Sequence, residues 1–457
     1  MVQQFTMIFT RVDRACVREA GQARAALSIF ASIIFGLLSV TLQGCGQQPD
    51  PPALARRPPR ANPQAALAEN SSGTPNQPVN TPAAERRLPL YEIRMDPKDL
   101  AALERNVYSK DTHPATFIAD GEVYERIKVR FRGAWARSWP KKPLKIFFND
   151  DKPFQGRHRL NLNSGWRDPA FVREILGYHV YAACGAVAPK SRMVRLLLNG
   201  QFRGLYVEVE QPDKAFLSRL NLKGASVYKA SSRSNHADER DLGSEASYRA
   251  HYDKETQKTE DYRDLQLFCQ ELALTKNTLD FFTRRMDLDK YINFLAATTL
   301  IQNWDGYNKN HFMVYDGRGS KKWFAVPWDL DRTFGDHWNW SFDRADLPVL
   351  LGTQQLPGVT GWNRIEDRFF SDPTLRVRFL DRLQELLQKE FIAEKLFPVL
   401  DRFEADISAD AALDRRRWPG DAGDLRSGIA QVKSFIERRR IYLLSEVAKL
   451  RRSTALR

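Results

Sequence analysis

An abrupt change of composition near residue 89 is the strongest constraint on what this chain can fold into. Nine of its 24 prolines fall within residues 46–88, which contain no phenylalanine, tryptophan or tyrosine. Such a segment cannot bury enough apolar surface to offset the entropy of ordering its backbone, so we expect a disordered, extended linker. The folded body is therefore predicted to begin at residue 89, and the residues that follow are enough to bury a sizeable core.

Residues 1–45 have the order of a secretory signal peptide, in which basic residues precede an apolar stretch. Residues 25–44 carry no charge, and the stretch ends in Leu42-Gln43-Gly44-Cys45. This ending resembles a bacterial lipobox and predicts that Cys45 becomes lipidated in an exported, membrane-anchored lipoprotein of the cell envelope. The alternatives are an uncleaved membrane anchor and a plain signal peptide. All three place the remainder of the chain outside the cytoplasm.

The overall composition narrows the class of protein. Hydrophobic residues make up 42% of the chain and charged residues 28%, as in an ordinary globular protein. The net charge of +14 favours anionic partners. The four cysteines are too far apart in sequence to form a local zinc ribbon. Cys184 and Cys269 are either a long-range disulfide or buried free thiols, and we favour the thiols.

Residues 89–211 are predicted to form a β-rich lobe, because apolar and polar residues alternate along several short segments. The predicted strands are Leu90–Arg94, Glu122–Gly133, Leu144–Phe148, Ser191–Leu198 and Gly204–Glu210. The last two flank Asn199-Gly200, which is a strong signal for a hairpin turn. Helices are predicted over Pro97–Glu104 and Phe171–Cys184, with Asp168 capping the second.

Residues 212–457 are predicted to form a mainly helical lobe, so the expected fold class is α+β. Apolar residues recur at helical spacing in four segments, which are Leu265–Leu274, Asp287–Gln302, Leu375–Leu387 and Ile429–Leu450. A β-rich lobe followed by a helical lobe leaves a cleft between them. Ligand sites favour such junctions.

The densest chemistry lies in residues 303–335. Asp305 and Asn310 follow a predicted helix, while Asp329 and Asp331 follow the second strand of a predicted hairpin. If the fold brings them together, their carboxylates and carboxamide form an oxygen site that suits Mg²⁺ or Mn²⁺. The alternative is that these residues only terminate turns and cap helices.

The predicted strand that begins at Glu122 presents a row of cations on one face. These cations are Arg126, Lys128, Arg130 and Arg132, and the apolar residues between them would face the core. The row is either a platform for phosphates or an acidic substrate, or a solvated face on which Arg132 alone is functional. No nucleic-acid recognition motif accompanies it, so we expect no nucleic-acid partner.

The order of these residues is similar to that of protein kinases, where a catalytic Asp is followed five residues later by a metal-binding Asn, then by a strand pair and a metal-binding Asp. The chain resembles the CotH kinase family of atypical secreted kinases over about residues 89–442. The motifs that carry the resemblance are Arg132-Gly133, Pro140-Lys141-Lys142-Pro143-Leu144-Lys145-Ile146, Leu198–Glu208, Asn303-Trp304-Asp305, Lys309-Asn310, Pro327-Trp328-Asp329-Leu330-Asp331 and Thr333-Phe334-Gly335.

The resemblance implies roles for the polar residues of the two loops. Asp305 would orient or deprotonate the attacking hydroxyl group. Asn310 and Asp329 would hold Mg²⁺ or Mn²⁺ against the triphosphate of ATP, with Asp331 as the second choice for a metal ligand.

It also implies nucleotide contacts in the first lobe. Lys142 would contact the phosphates as the strand lysine of a kinase does, and Lys145 is the alternative, because strand alternation leaves open which of the two points inward. Glu174 would pair with that lysine. Glu210 and Gln211 end a strand at the place where a kinase holds adenine.

The implied fold is an atypical, two-lobed protein-kinase-like fold with a β-rich N-lobe and a mainly helical C-lobe. We expect a membrane-tethered monomer that transfers the γ-phosphate of ATP to Ser or Thr of an envelope or exported protein. One turn departs from the family pattern, with Trp135 and Trp139 where small polar residues are usual, and Arg137 would compensate as a phosphate ligand. This departure favours an alternative, an inactive kinase-like scaffold or binding module. A metal-dependent hydrolase of phosphate esters is a third reading.

Overall fold

A computed structural model gives the structure of the protein and describes residues 88–231, 237–336, 344–353, 362–420 and 423–455. The predicted signal peptide, its Cys45 and the proline-rich linker lie outside these residues. The described part is a mixture of helices and sheets, which confirms the α+β class. No helix in it combines the length and apolarity that a membrane crossing requires.

The first part of the body is a closed seven-stranded barrel. Its strands are β1 (Leu90–Arg94), β2 (His113–Ala119), β3 (Glu122–Phe131), β4 (Leu144–Phe147), β5 (Arg159–Asn163), β6 (Ser191–Leu198) and β7 (Gln201–Val209). They follow the order β1-β2-β3-β4-β5-β7-β6, and parallel pairing of β1 with β6 closes the barrel. As predicted, β3 buries Ile127, Val129 and Phe131 while Arg126 and Lys128 stay exposed. The barrel has its own core, centred on aromatic rings such as Phe117.

Two helices accompany the barrel, namely α1 (Pro97–Arg105) and α2 (Arg173–Ala183). The second begins two residues later than predicted, and Asp168 is not its cap. Phe171 adopts a left-handed conformation with φ of 58°, which delays the helix. The Asp168 carboxylate instead accepts from the backbone N–H of Arg173 at 2.9 Å and forms a buried ion pair with the Arg173 side chain.

The remainder of the body combines a second sheet with helices. Strands β8 (Ser226–Ala230), β9 (Tyr252–Lys254), β10 (His311–Tyr315) and β11 (Trp323–Pro327) form a sheet of order β11-β10-β8-β9. The helices are α3 (Lys214–Arg219), α4 (Glu245–His251), α5 (Arg263–Leu274), α6 (Thr278–Arg285), α7 (Leu288–Ile301), α8 (Arg364–Ser371), α9 (Pro373–Lys389), α10 (Ala393–Arg417) and α11 (Leu425–Ala455). Cys184 and Cys269 are buried free thiols, as we favoured.

Helix α7 carries the chain into the predicted catalytic loop. Ten of its 14 residues are buried, so its position is fixed by packing on almost every side. Gln302 ends the helix in a left-handed conformation with φ of 56°. The chain therefore turns sharply into residues 303–310, and the fully buried Trp304 anchors that turn by donating from Nε1 to the Asp336 carbonyl at 2.7 Å.

A buried ion pair joins helix α10 to the barrel. The Lys141 ammonium lies 2.5 Å from the Asp414 carboxylate, and both side chains are fully inaccessible to solvent. The backbone of β7 completes the arrangement, because the Leu205 N–H donates to Asp414 and the Leu205 carbonyl accepts from Lys141. Gly204 leaves room for the pair, since a Cβ there would lie 2.3 Å from an Asp414 oxygen. This contact positions the segment that leads into β4.

We predict that Asp414→Ala destabilises the protein strongly. It would leave the Lys141 ammonium buried without its counter-charge, which costs about 3–5 kcal/mol. Asp401 lies on the same helix and pairs with Lys433, but its side chain is 59% exposed. Asp401→Ala is therefore the matched control, with an expected loss below about 1 kcal/mol. Urea unfolding of both variants measures the difference, and similar losses in the two would contradict this account.

Candidate functional site

The loop after α7 holds Asp305 and Asn310 against each other. The Asn310 side-chain amide donates to Asp305 Oδ2 at 3.1 Å, and the Lys309 ammonium lies 3.0 Å from Asp305 Oδ1. All three residues are buried. Asn310 has a φ of 58°, which asparagine tolerates better than most residues. The fold therefore orients the Asp305 carboxylate from both sides.

The second loop, which contains Asp329 and Asp331, follows β11 and lies beside the first loop, which contains Asp305 and Asn310. The backbone N–H of Trp328 donates to the Asn310 carbonyl at 3.0 Å, so the two loops start from a shared hydrogen bond. Leu330 is fully buried against Gly177 of α2, where any Cβ would lie 3.0 Å from its side chain. This packing fixes the positions of Asp329 and Asp331 on either side of Leu330.

Asp329 and Asp331 form no side-chain hydrogen bond or ion pair with the residues that the structure describes. Burial and the negative charge of Asp329 raise the pKa of Asp331 well above its usual value. Burial and the same charge also raise the pKa of Glu174, to about 8. The negative charge of Asp329 thus disfavours the ionised forms of Glu174 on α2 and of Asp331 in the same loop.

Glu174 does not pair with a lysine, contrary to the prediction. Its carboxylate accepts from the Asn163 side-chain amide at 2.7 and 2.9 Å. Asn163 ends β5, so this contact ties α2 to the barrel edge. Glu174 still lies in the site, because the charge of Asp329 acts on it and its own charge acts on Asp331.

The structure separates Lys142, the first choice for the phosphates, from its alternative Lys145. Lys142 donates to the Trp139 carbonyl at 2.8 Å and lines a small apolar cavity at the end of the barrel, beside Leu100. Lys145 donates to Gln211 Oε1 at 3.0 Å. Burial and the charges of neighbouring cations lower the pKa of Lys145 to about 7, against the opposite effect of Glu255. The neighbouring cations are Arg132, Arg159 and Lys229.

Arg132 places a cation beside the second loop. Its guanidinium carbon lies 5.5 Å from the centre of the Trp328 ring, the residue before Asp329. Arg132 is also among the charges that lower the pKa of Lys145, so it lies near enough to act on Lys145 as well as beside the second loop. The fold thus brings Arg132, Lys145, Glu174 and Asp329 together.

Two other predicted nucleotide contacts are engaged elsewhere. The Glu210 carboxylate accepts from Arg219 at 2.6 and 2.9 Å and from the Lys190 backbone N–H at 2.9 Å. Arg137 does not point to a phosphate position, because it donates to the Tyr108 carbonyl and its guanidinium lies over the Tyr108 ring.

A buried polar cluster beneath the first loop was not predicted. The Glu239 carboxylate accepts from His311 Nε2 at 2.9 Å, while His311 Nδ1 lies 3.0 Å from the Gly306 carbonyl. Burial lowers the pKa of His311, but Glu239 outweighs it and raises the pKa to about 9. Asn363 donates both to Glu239 and to the Tyr307 carbonyl. These contacts fix the backbone of the loop after α7 at the Gly306 and Tyr307 carbonyls, and no sequence motif marks them.

Glu366 adds a second carboxyl group to this cluster. It is 4% exposed and accepts from the Tyr291 hydroxyl at 3.1 Å. Burial and the charge of Glu239 raise the pKa of Glu366 to about 8. The carboxyl group is therefore neutral in the folded protein at moderate pH.

No group of three or more His, Cys, Asp or Glu side chains within the described ranges is placed to hold a metal ion. Any oxygen site formed here therefore depends on the Asn310 carboxamide as well as on Asp329 and Asp331. The three residues come from two loops that share one hydrogen bond.

Comparison with known proteins places all of these loops in one matched region. Residues 129–443 match the family model described as CotH kinase protein. The chain is 27% identical to inner spore coat protein H of Bacillus subtilis, over 69% of this chain and 85% of that protein. It is 25% and 26% identical to the invasins CotH2 and CotH3 of Rhizopus delemar, over 54% and 48% of this chain. The aligned regions cover 45% and 39% of those invasins, less than half of each.

We predict that Glu366→Gln changes how stability depends on pH. The wild-type carboxyl group ionises near 4.5 when unfolded and near 8 when folded, so its contribution to stability is present at low pH and is lost between those values. The free energy of unfolding of the wild type falls by about 1.4 kcal/mol per pH unit in this range, and that of Glu366→Gln does not. Urea unfolding should therefore show that the free energy of unfolding of Glu366→Gln rises relative to that of the wild type from about pH 5 to 8. Parallel profiles would contradict this, and exposed Glu394→Gln is the control.

Proposed function

Because the chain belongs to the CotH kinase family, we propose that it is an active, exported protein kinase with a β-rich N-lobe and a helical C-lobe. It transfers the γ-phosphate of ATP to Ser or Thr of an envelope or exported protein, with Mg²⁺ or Mn²⁺. The observation that carries the proposal is the set of charges that the two loops and the barrel bring together. Asp329 and Asp331 form no side-chain hydrogen bond or ion pair within the described structure, and Arg132 and Lys229 lie over the ring of Trp328, the residue before Asp329.

A magnesium–nucleotide complex complements these charges. Asn310, Asp329 and Asp331 supply an amide and two carboxylates, the oxygen ligands that Mg²⁺ and Mn²⁺ prefer. Burial and the negative charge of Asp329 raise the pKa of Asp331, and a bound cation would offset that negative charge. Bound metal would neutralise charge on the transferred phosphoryl group.

Asp305 is assigned to the acceptor hydroxyl group. Its two carboxylate oxygens are held by Asn310 and Lys309, which fixes the carboxylate before a substrate binds. Positioning of this kind is most of what phosphoryl transfer requires from a protein. Asp305 accepts the proton of the Ser or Thr hydroxyl, or orients that hydroxyl for attack.

Lys145 and Arg132 are assigned to the phosphates. A phosphate near Lys145 would favour its charged form, against the burial that lowers its pKa. Gln211 holds Lys145 in place at 3.0 Å. Adenine is assigned to the segment of Glu210 and Gln211, where the Glu210 carboxylate serves to hold the segment through Arg219.

The tryptophan-rich turn gives little support to the inactive alternative. Trp135 is 80% exposed, and the Trp139 ring packs 5.9 Å from that of Trp166. The ring that the site cations contact is Trp328. Neither Trp135 nor Trp139 therefore occupies the position proposed for the phosphates.

An extracytoplasmic location fits both the sequence and the relatives. The relatives include a spore coat protein and invasins by name. We propose that this chain is likewise exported, and that acylation of Cys45 anchors it to the membrane as a monomer.

We predict that two aspartate variants separate metal binding from transfer. Asp329→Asn should weaken Mg-ATP binding in calorimetric titration, because it removes a charged metal ligand. Asp305→Asn should bind Mg-ATP normally while transfer falls by about 10²–10⁴-fold. The full chain incubated with labelled ATP and Mg²⁺ or Mn²⁺ gives the transfer rate.

The fate of the label distinguishes the three candidate functions. Label on protein supports the kinase, free phosphate alone supports the hydrolase, and no turnover supports the scaffold. Melting curves serve as the control, since Asp329→Asn removes a repulsive charge and should cost little stability. Unchanged binding together with a lower melting temperature would overturn the metal assignment.

We also predict that Lys145→Met and Lys142→Met differ. Loss of a charge-assisted hydrogen bond to phosphate costs about 1.5–3 kcal/mol, so Lys145→Met should weaken Mg-ATP binding about tenfold or more. Lys142 points to the barrel cavity, and Lys142→Met should bind Mg-ATP as the wild type does. Calorimetry on both proteins makes the comparison. Equal losses of Mg-ATP affinity in the two variants would contradict the assignment of the phosphates to Lys145 rather than Lys142.

A further inference from the structure

Lys229 is a cation of the site that no motif marks. It lies in β8, opposite Phe312 of the neighbouring strand β10. Its ammonium is 5.7 Å from the centre of the Trp328 ring. The sheet therefore delivers Lys229 to the same ring that Arg132 contacts from the barrel, although the two residues are 97 positions apart in sequence.

Lys229 is held in an unfavourable environment. It is half-buried and forms no side-chain hydrogen bond or ion pair with the residues that the structure describes. Burial and the positive charge of Arg132 lower its pKa, while the charge of Asp329 raises it. A partly desolvated ammonium group without a hydrogen-bonded protein partner can donate to a ligand that supplies the acceptor.

Trp328 acts as a rigid spacer between the two cations. Its ring packs edge-to-face on Phe312 at 5.3 Å, and its backbone N–H is bound by Asn310. The Arg132 guanidinium carbon lies 5.5 Å from the ring centre and the Lys229 ammonium 5.7 Å. Both cations therefore have defined positions relative to Asp329, the next residue of the chain.

We propose that Lys229 binds phosphate, and that Lys229 and Arg132 form a two-cation clamp around Trp328 for the polyphosphate of a nucleotide. This inference rests on the proposed kinase function and adds a residue to its site. The clamp fits a polyphosphate better than a single carboxylate or monophosphate, because several cations here adjoin two unpartnered carboxylates. Such a ligand carries several negative charges and brings its own metal cation to Asp329 and Asp331.

Magnesium pyrophosphate is the probe, because it contains the proposed chemistry without the nucleoside. It is titrated calorimetrically, beside Mg-ATP, into the full chain and three variants. Lys229→Gln removes the charge but keeps a side chain of similar reach over Trp328, and Lys229→Arg retains the charge. Exposed Lys223, which precedes the same strand, provides the matched control Lys223→Gln.

We expect Lys229→Gln to weaken binding of both probes about tenfold or more, since charge-assisted contacts to phosphate are the strong ones. Lys229→Arg should restore much of the affinity, and Lys223→Gln should bind as the wild type does. Without ligand, Lys229→Gln should melt no lower than the wild type, because it loses an unpaired charge.

The outcomes that overturn the inference are distinct from failure of the kinase proposal. Wild-type affinity for both probes in folded Lys229→Gln overturns the clamp and leaves the kinase proposal standing. A lower melting temperature with unchanged affinity also overturns it, and shows that Lys229 only supports Trp328. Absence of binding of either probe to the wild type overturns the kinase proposal and the clamp together.

Discussion

The antiparallel pairing of β10 with β11 is the contact on which the whole site depends. His311 lies opposite Pro327, so Asn310 and Trp328 are the next residues outward and join through a backbone hydrogen bond of 3.0 Å. The two loops therefore leave the sheet at one edge, although Asp305 and Asp329 are far apart in sequence. Everything else in the site adds charge or rigidity to this edge. Asn310 and Asp329 both adopt left-handed conformations, with φ of 58° and 59°, as residues at functional turns often do.

The charges at this edge are not arranged for stability. Burial and the negative charge of Asp329 raise the pKa values of Glu174 and Asp331, while burial and the positive charge of Arg132 lower the pKa of Lys229. Opposite charges lie near enough to interact, yet Asp329 forms no ion pair within the described structure. The Lys141–Asp414 pair shows the contrast, because there the same residue types meet in a direct ion pair at 2.5 Å. Unsatisfied charges of both signs in one place are typical of a site that binds a charged ligand.

Local pattern was enough to predict much of the fold and the two polar loops. Alternation located β3, the Asn199-Gly200 turn located the hairpin of β6 and β7, and the spacing of Asp305 and Asn310 marked a loop that does bring them together. Long-range contacts could not be predicted in this way. Helix α10 was missed, since its charged sequence and internal Pro398 obscure a helical period. Lys229 and the Glu239–His311 contact join segments that only the sheet brings together.

The segment Pro140–Lys145 shows why a motif alone leaves roles open. Its three lysines lie within five positions but enter three environments, namely the buried pair with Asp414, the barrel cavity and the cation cluster. Lys142 precedes β4 and lines the barrel cavity, whereas Lys145 lies within β4 and joins the cation cluster. The pairing of β4 with β5 and the contact with Gln211 decide which lysine faces the two loops, and both involve residues distant in sequence. One motif thus fastens helix α10 to the barrel and, four residues later, supplies a cation to the site.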